Sequence, residues 1–486
     1  MDRREFIKLT SMAGIGVALN SCSSIKKQNP PNIILVMSDD QGWGDVAYNG
    51  NPIVKTPHLD SMAQEAIRFD RFYSAAPVCS PTRGSCITGR HPYRYGIPWA
   101  NAGSLPEEEI TLAEVLKSKG YNTGHFGKWH LGQVSRTLVE EDGIKPLSPE
   151  KYSPPWENGF DTCFSTESRM PTYNPYYINH QINLMDIPVK YGDTSGKRWQ
   201  ASYWTGPGQI VDENLAGDDS QIIMDHALEF INTSIKSKKH FFSCIWFHAP
   251  HSPIVAGDDT RALYPDLPIQ QQHWFGCLTA LDKQIGRLRN FLRDKKIHEN
   301  TIIWFCSDNG PSYIHDYNSA GPFRGEKGTL WEGGIRVPAL FEWPAKFKQP
   351  KIITAPVSTS DFFPTLLSAC GIQKPNELLL DGIDVMPIIK GNIEQRPTPI
   401  AFQAPIKNRR DPWARKGSKQ MALSDNRYKL LTFDKGNSYQ LYDLLKDPSE
   451  SKDLSSTFPD IVDKMKNELN HWVQSCRQDE KRYHNN

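Results

Sequence analysis

Asn32-Ile33-Ile34-Leu35-Val36-Met37 runs directly into Ser38-Asp39-Asp40-Gln41-Gly42. A continuous apolar run of this length predicts a parallel strand covered on both faces, because a strand with one wet face alternates polar and apolar residues. Two later stretches repeat the design. Phe241-Phe242-Ser243-Cys244-Ile245-Trp246-Phe247 leads into His248-Ala249-Pro250-His251, and Thr301-Ile302-Ile303-Trp304-Phe305-Cys306 leads into Ser307-Asp308-Asn309-Gly310. Each run delivers polar groups from its C-terminal end, the edge at which open α/β sheets bind ligands.

Helical patterns fill the intervals. Thr56-Pro57 offers an N-cap and an N1 proline ahead of Leu59, Met62, Ala63, Ala66 and Ile67, which share one helical face. Thr111-Leu112-Ala113-Glu114 is a capping box, and Gly120 closes that helix. Asp219 to Lys236 carries Ile222, Ile223, Ala227, Phe230 and Ile231 at helical spacing, and a further helix covers Leu281 to Leu292. The alternation predicts an α/β fold, a large mixed, mostly parallel sheet sandwiched by helices.

Beyond about residue 390 the texture changes to proline and basic residues. Tyr428–Phe433 and Tyr439–Leu444 read as two strands joined through Asp434 to Asn437, and Ile461, Val462, Met465, Leu469, Trp472 and Val473 share one side of a final helix. The predicted organisation is a leader over 1–22, a main domain over 30–390 and a smaller C-terminal α+β subdomain over 391–486.

The 486 residues carry a formal net charge of +1, which gives no general electrostatic case for nucleic acid or an anionic membrane. Met1-Asp2-Arg3-Arg4-Glu5-Phe6-Ile7-Lys8, a short apolar stretch from Ser11 to Leu19, and Leu19-Asn20-Ser21-Cys22 read as an export signal of lipoprotein type, with Cys22 as the lipid-anchor site. The expected location is therefore outside the cytoplasm of a bacterium, periplasmic or tethered by lipid. No later stretch approaches the ~18 apolar residues of a membrane span. Nine cysteines, with Cys244 and Cys306 inside apolar runs, predict buried fillers and no disulfide framework. The 13 tryptophans suit either a sugar-gripping protein or an aromatic core.

The chemistry concentrates at Cys79-Ser80-Pro81-Thr82-Arg83, continued by Gly84 through Thr88-Gly89-Arg90. Taken alone, Cys79 reads as an activated thiol, a metal ligand or a buried filler. Asp39 and Asp40 at one strand tip, with Asp308 and Asn309 at another, offer the oxygen donors that hard cations take, calcium ahead of magnesium; an isolated Asp-Asp pair reads equally as a solvated turn. Cationic and imidazole groups follow in Gly127-Lys128-Trp129-His130, in Pro250-His251-Ser252-Pro253 and in Gly325-Glu326-Lys327-Gly328.

In that order, Asp-Asp, Cys-x-Pro-Thr-Arg, Gly-Lys-Trp-His, Pro-His-x-Pro, Ser-Asp-Asn-Gly and Gly-x-Lys-Gly together resemble the type I, formylglycine-dependent sulfatases of the alkaline phosphatase-like superfamily, in particular exported bacterial carbohydrate sulfatases and arylsulfatases. The resemblance runs from Pro31 to the C-terminal helix and includes Tyr442 to Glu450. It implies that a formylglycine-generating enzyme oxidises Cys79, and that the hydrated aldehyde is the nucleophile. It implies one Ca²⁺ ion ligated by Asp39, Asp40, Asp308, Asn309 and the modified Cys79. Arg83 and Lys128 would steady the nucleophile, while Lys128, Lys327 and the ion bind sulfate oxygens. His251 or Lys327 would serve the departing alcohol, and His130 would help deprotonate the second hydroxyl so that sulfate is expelled. His248 reads as core support.

The expected substrate is a sulfated polysaccharide or oligosaccharide, with Thr166–Thr205 and Lys407–Lys416 as candidate walls. Two other readings stand beside it. One is a phosphodiester or phosphonate monoester hydrolase of the same superfamily, and the other is an inactive glycan-binding homologue.

Overall fold

The computed structural model describes residues 29–140, 143–146, 151–175, 177–178, 197–198, 201–312, 317–374, 378–406 and 419–484. The expected export signal with Cys22, and the basic stretch 407–416, lie outside these residues.

Ten strands form the main sheet in the order Gln209–Val211, Tyr203–Gly206, Thr162–Thr166, Asn122–Lys128, Phe241–Trp246, Asn32–Ser38, Thr301–Ser307, Ala339–Glu342, Ile67–Phe69 and Lys351–Ile353. The five strands from Thr162–Thr166 to Thr301–Ser307 are mutually parallel, so their C-terminal ends share one edge. Antiparallel pairs flank them on both sides. Ile33, Leu35 and Met37 join one apolar core while Ile34 and Val36 join another on the opposite face. The unbroken apolar run is thus explained by two dry faces.

The Leu112–Ser118 helix carries the reciprocal Thr111–Glu114 capping box, and Asp219–Lys236 is helical as expected. Two boundaries differ. The Pro57–Glu65 helix stops before Ala66, and Ile67 opens a sheet strand; its N-cap Thr56 accepts from Ala47 N at 2.9 Å rather than capping its own helix. The long helix begins at Ile269 and not Leu281, burying Trp274, Cys277 and Leu278 upstream of the expected start. Trp129, Trp246, Trp274 and Trp304 are fully buried, so these tryptophans build core.

The C-terminal part forms a four-stranded antiparallel sheet, Ile400–Pro405, Lys419–Ser424, Tyr428–Thr432 and Gln440–Asp443. Met421, Leu423, Leu430 and Leu441 face Met465, Leu469 and Val473 of the Pro459–His484 helix. The other face, with Phe402, Ala422 and Leu431, packs on Tyr73, Leu330, Trp331 and Ile335 of the main body.

Candidate functional site

Cys79 is the first residue of the Cys79–Thr88 helix, every residue of which is buried. Val78 enters extended, and Pro81 sits in the first turn, where a missing N–H costs nothing. Thr82 Oγ1 donates back to Ala76 O at 3.0 Å, and Tyr95 OH donates to Pro81 O at 2.6 Å. Gly89 ends the helix in the left-handed region. The positive end of a core helix is thereby aimed at position 79.

The strand tips are stitched to one another beside that helix. Asp39 N donates to Ala249 O at 3.0 Å, Asp308 N to Ser38 O at 3.1 Å, and Asp40 N to the Asp308 carboxylate at 3.1 Å. Lys128 ends the neighbouring strand, and Gly127 before it has a φ of 99°, with any Cβ there falling 1.9 Å from Trp246 O. Only glycine tolerates both conditions.

Three cations answer three carboxylates. Arg83 donates from Nη2 to Asp308 at 2.7 Å and from Nη1 to the Lys128 carbonyl at 2.9 Å. Lys128 Nζ reaches Asp39 at 2.5 Å, and Lys327 Nζ reaches Asp40 at 2.5 Å. Burial alone would raise the Asp39 carboxyl, but Lys128, with His251, Arg83 and Lys327, holds it well below the usual range. Burial and the Asp39 charge push Asp308 up, to about 7, against the pull of Arg83. Lys327 resists the burial that would discharge it because Asp40 stands against it, so it stays an ammonium.

The imidazoles divide by role. His130, at φ 57°, is kept neutral by burial and by the Lys128 and Arg83 charges. Its Nε2 meets Asn101 Oδ1 at 2.7 Å, which leaves the buried Nδ1 without a partner and able to take a proton. His251 lies with Nε2 3.6 Å from Asp40 and donates from Nδ1 to Ser252 O at 2.7 Å; burial depresses it to about 4. His248 is held between Thr166 Oγ1 at 2.7 Å and Asp219 at 2.8 Å, the core-support position expected of it.

The donor set suits a hard cation. Asp39, Cys79 and Asp308 form one group, and Asp39, Asp40 and His251 another, with ligand atoms within 4.8 Å of one another in each. Asn309 Nδ2 donates to Asp40 at 2.7 Å and to Gly310 O at 2.8 Å, which fixes the amide and leaves Asn309 Oδ1 buried and unpartnered. Asp39 Oδ1 is likewise buried and unpartnered. Two orphaned hard oxygens on adjacent strand tips are costly unless something electropositive meets them. A divalent ion there would also tip a balanced set of charges positive, as an anionic substrate requires.

Asp39, Asp40, Cys79, Arg83, Lys128, His130, His251, Asp308, Asn309 and Lys327, all read from the sequence, are brought together at one edge of the sheet. Asn101 escaped that reading. It takes φ 58°, bonds His130, and its N–H meets Ser80 Oγ at 3.3 Å beside Cys79, but a lone asparagine in a loop carries no motif. Of the candidate wall 166–205, residues 176, 179–196 and 199–200 lie outside the described residues.

Residues 31–372 match the Sulfatase family, and residues 324–475 match the N-sulphoglucosamine sulphohydrolase C-terminal family. The chain belongs to the sulfatase family and is a sulfuric ester hydrolase with the alkaline phosphatase-like fold. N-acetylgalactosamine-6-sulfatase of Canis lupus familiaris is 33% identical over 410 residues, covering 80% of this chain and 70% of that protein. Arylsulfatase G of Mus musculus is 32% identical over 407 residues, covering 76% and 71%. Among solved structures, Ps i-CgsB in complex with k-i-k-neocarrahexaose superposes with a TM-score of 0.75 at 26% identity, covering 91% of this chain and 93% of that one.

Proposed function

We propose that the protein removes sulfate from a sulfated oligosaccharide or polysaccharide, using formylglycine made from Cys79 and one Ca²⁺ ion held by Asp39, Asp40, Asp308, Asn309 and the modified residue. The observation that carries this reading is the buried, unpartnered oxygens of Asp39 and Asn309, with Asp39 and Asp308 gathered about a Cys79 thiol whose ionisation burial opposes despite Lys128 and Lys327. A thiol kept protonated is a poor nucleophile as it stands.

When bound, the ion would polarise a sulfate oxygen and lower the pKa of a hydroxyl at position 79. A hydrated aldehyde supplies two hydroxyls, one to attack sulfur and one whose deprotonation expels sulfate without a second attack on sulfur. Lys128 and Lys327 grip sulfate oxygens as charged donors. Arg83 braces Asp308 and the start of the helix, which holds the attacking group in line. Lys327 meets the charge growing on the departing oxygen, and His251, which lies against the same Asp40 carboxylate as Lys327, contacts that oxygen too. His130 Nδ1 takes the proton of the second hydroxyl, its ring oriented by Asn101.

The saccharide assignment draws on the relatives, an N-acetylgalactosamine-6-sulfatase and a neocarrahexaose complex. The lipoprotein-type leader supports it, since an exported enzyme meets extracellular glycans; maturation then requires a formylglycine-generating enzyme. Sulfate release from defined glycosaminoglycan and algal sulfated oligosaccharides tests the reading, with aryl sulfate and aryl phosphate diester run beside them. Release from a sulfated saccharide is expected. Faster cleavage of the phosphate diester, or binding of sulfated sugar by the aldehyde form without sulfate release, would overturn it.

A further inference from the structure

We propose that Gln420, on the C-terminal sheet, is a positioning residue for Lys327, so that the C-terminal part completes the active site rather than merely covering it. The inference rests on the role given above to Lys327 at the departing oxygen.

Gln420 is fully buried, and both ends of its amide are spent on the segment that follows Lys327. Its Oε1 accepts from Leu330 N at 2.8 Å, and its Nε2 donates to Gly328 O at 2.6 Å. One side chain thereby fixes two of the peptide groups around Thr329. The same segment is pinned from the other side. Gly328 N donates to Pro77 O at 2.8 Å, two residues before Cys79, and Lys327 N donates to Pro311 O at 2.9 Å, two residues after Asn309. Lys327 is thus suspended between the approach to Cys79, the exit from the Asp308 tip and the C-terminal sheet.

Gly328 holds φ 90°, a conformation that needs outside support to persist as a single state. Leu330 and Trp331 pack on Phe402, Ala404, Ala422 and Leu431 of the C-terminal sheet. One turn further on, Glu450 accepts from Glu332 N at 2.7 Å, and fully buried Lys429 bridges Glu332 at 3.0 Å and Glu450 at 2.9 Å. The sheet therefore grips the segment twice. A lysine ammonium rides on a flexible four-carbon stem, so its location depends on where the backbone puts Cα. Without Gln420, Leu330 N and Gly328 O lose their buried partners, and the segment must shift to recover them.

Gln420→Leu and Gln420→Glu, each alone and combined with Lys327→Ala, test this on a series of phenyl sulfates from 4-nitrophenyl to unsubstituted phenyl, with thermal unfolding as the folding control. Displacing Lys327 should cost most where the departing oxygen is most basic. The expected result is a loss in kcat/KM of about tenfold on phenyl sulfate and about twofold on 4-nitrophenyl sulfate, with less than about twofold further loss in the Lys327→Ala background. Equal losses across the series, undiminished losses in the Lys327→Ala background, or unchanged kinetics in folded variants would overturn the proposal. Gln420→Glu keeps the acceptor for Leu330 N and is read by the same cycle if Gln420→Leu does not fold. Wild-type turnover of 4-nitrophenyl sulfate, measured first, tests the sulfatase reading separately.

Discussion

Arg83 and Asp308 form a fully buried ion pair at 2.7 Å that ties the helix opening at Cys79 to the tip of the Thr301–Ser307 strand. Neither side chain has access to water, so each depends on the other for its charge to be tolerated. Arg83→Met strands the Asp308 carboxylate, and an expected loss of about 3–5 kcal/mol follows from breaking a buried pair on one side. Denaturant unfolding checks this, and a variant within about 1 kcal/mol of wild type would mean that the pair is not a structural link.

Removing the Asn309 amide should weaken ion binding; it also takes the Nδ2 bonds from Asp40 and Gly310 O, so the effect is read as the Ca²⁺-dependent shift within each protein. In Asn309→Leu the stabilisation that added Ca²⁺ gives to the wild-type melting midpoint is expected to need at least about tenfold more ion. Chelation should stop wild-type turnover and Ca²⁺ should restore it. A wild-type protein indifferent to both chelator and Ca²⁺ would sink the metal assignment.

Asn101→Ala frees the His130 ring, whose Nε2 it holds at 2.7 Å. The proton acceptor of the sulfate-expelling step is then misaligned while attack on sulfur is not. Rapid-mixing kinetics should show a burst of alcohol with sulfate lagging behind it, and steady turnover reduced by about 10- to 100-fold. Alcohol and sulfate appearing together at an undiminished rate would contradict the role given to His130.

Stability should fall on acidification through His91, which lies edge-to-face on Trp472 at 4.5 Å, where the final helix docks. Burial takes its pKa from 6.5 to about 3, with Asp381 opposing and Arg94 assisting. The unfolded chain therefore binds the proton first, and the stability present above pH 6.5 drains away as pH falls toward 3. Between pH 7.5 and 5 this site should cost about 2 kcal/mol. His91→Gln should remove that component, whereas parallel pH profiles for the two proteins would refute it.

What could be read from the sequence follows from which interactions leave a local pattern. The strands at Asn32, Phe241 and Thr301 were readable because two dry faces demand unbroken apolar runs, and their tips carried Asp39, Asp40, His251, Asp308 and Asn309 with them. Ile67 reads as helical from the sequence, yet opens a strand, because Leu59, Met62 and Ile67 fit a helical face as well as they fit a helix followed by a strand. The Ile400–Pro405 and Lys419–Ser424 strands carry no such signal, because they flank the basic stretch rather than a tight turn. Asn101 and Gln420 act through hydrogen bonds to residues distant in the chain, and such bonds impose no periodicity that a sequence can display.

The most direct measurement is the mass of the Cys79 peptide, taken alongside turnover in preparations matured to different extents. Turnover should rise in proportion to the fraction carrying an aldehyde at position 79 and vanish in protein carrying only the thiol. Full turnover from protein whose Cys79 is entirely unconverted would contradict the formylglycine route.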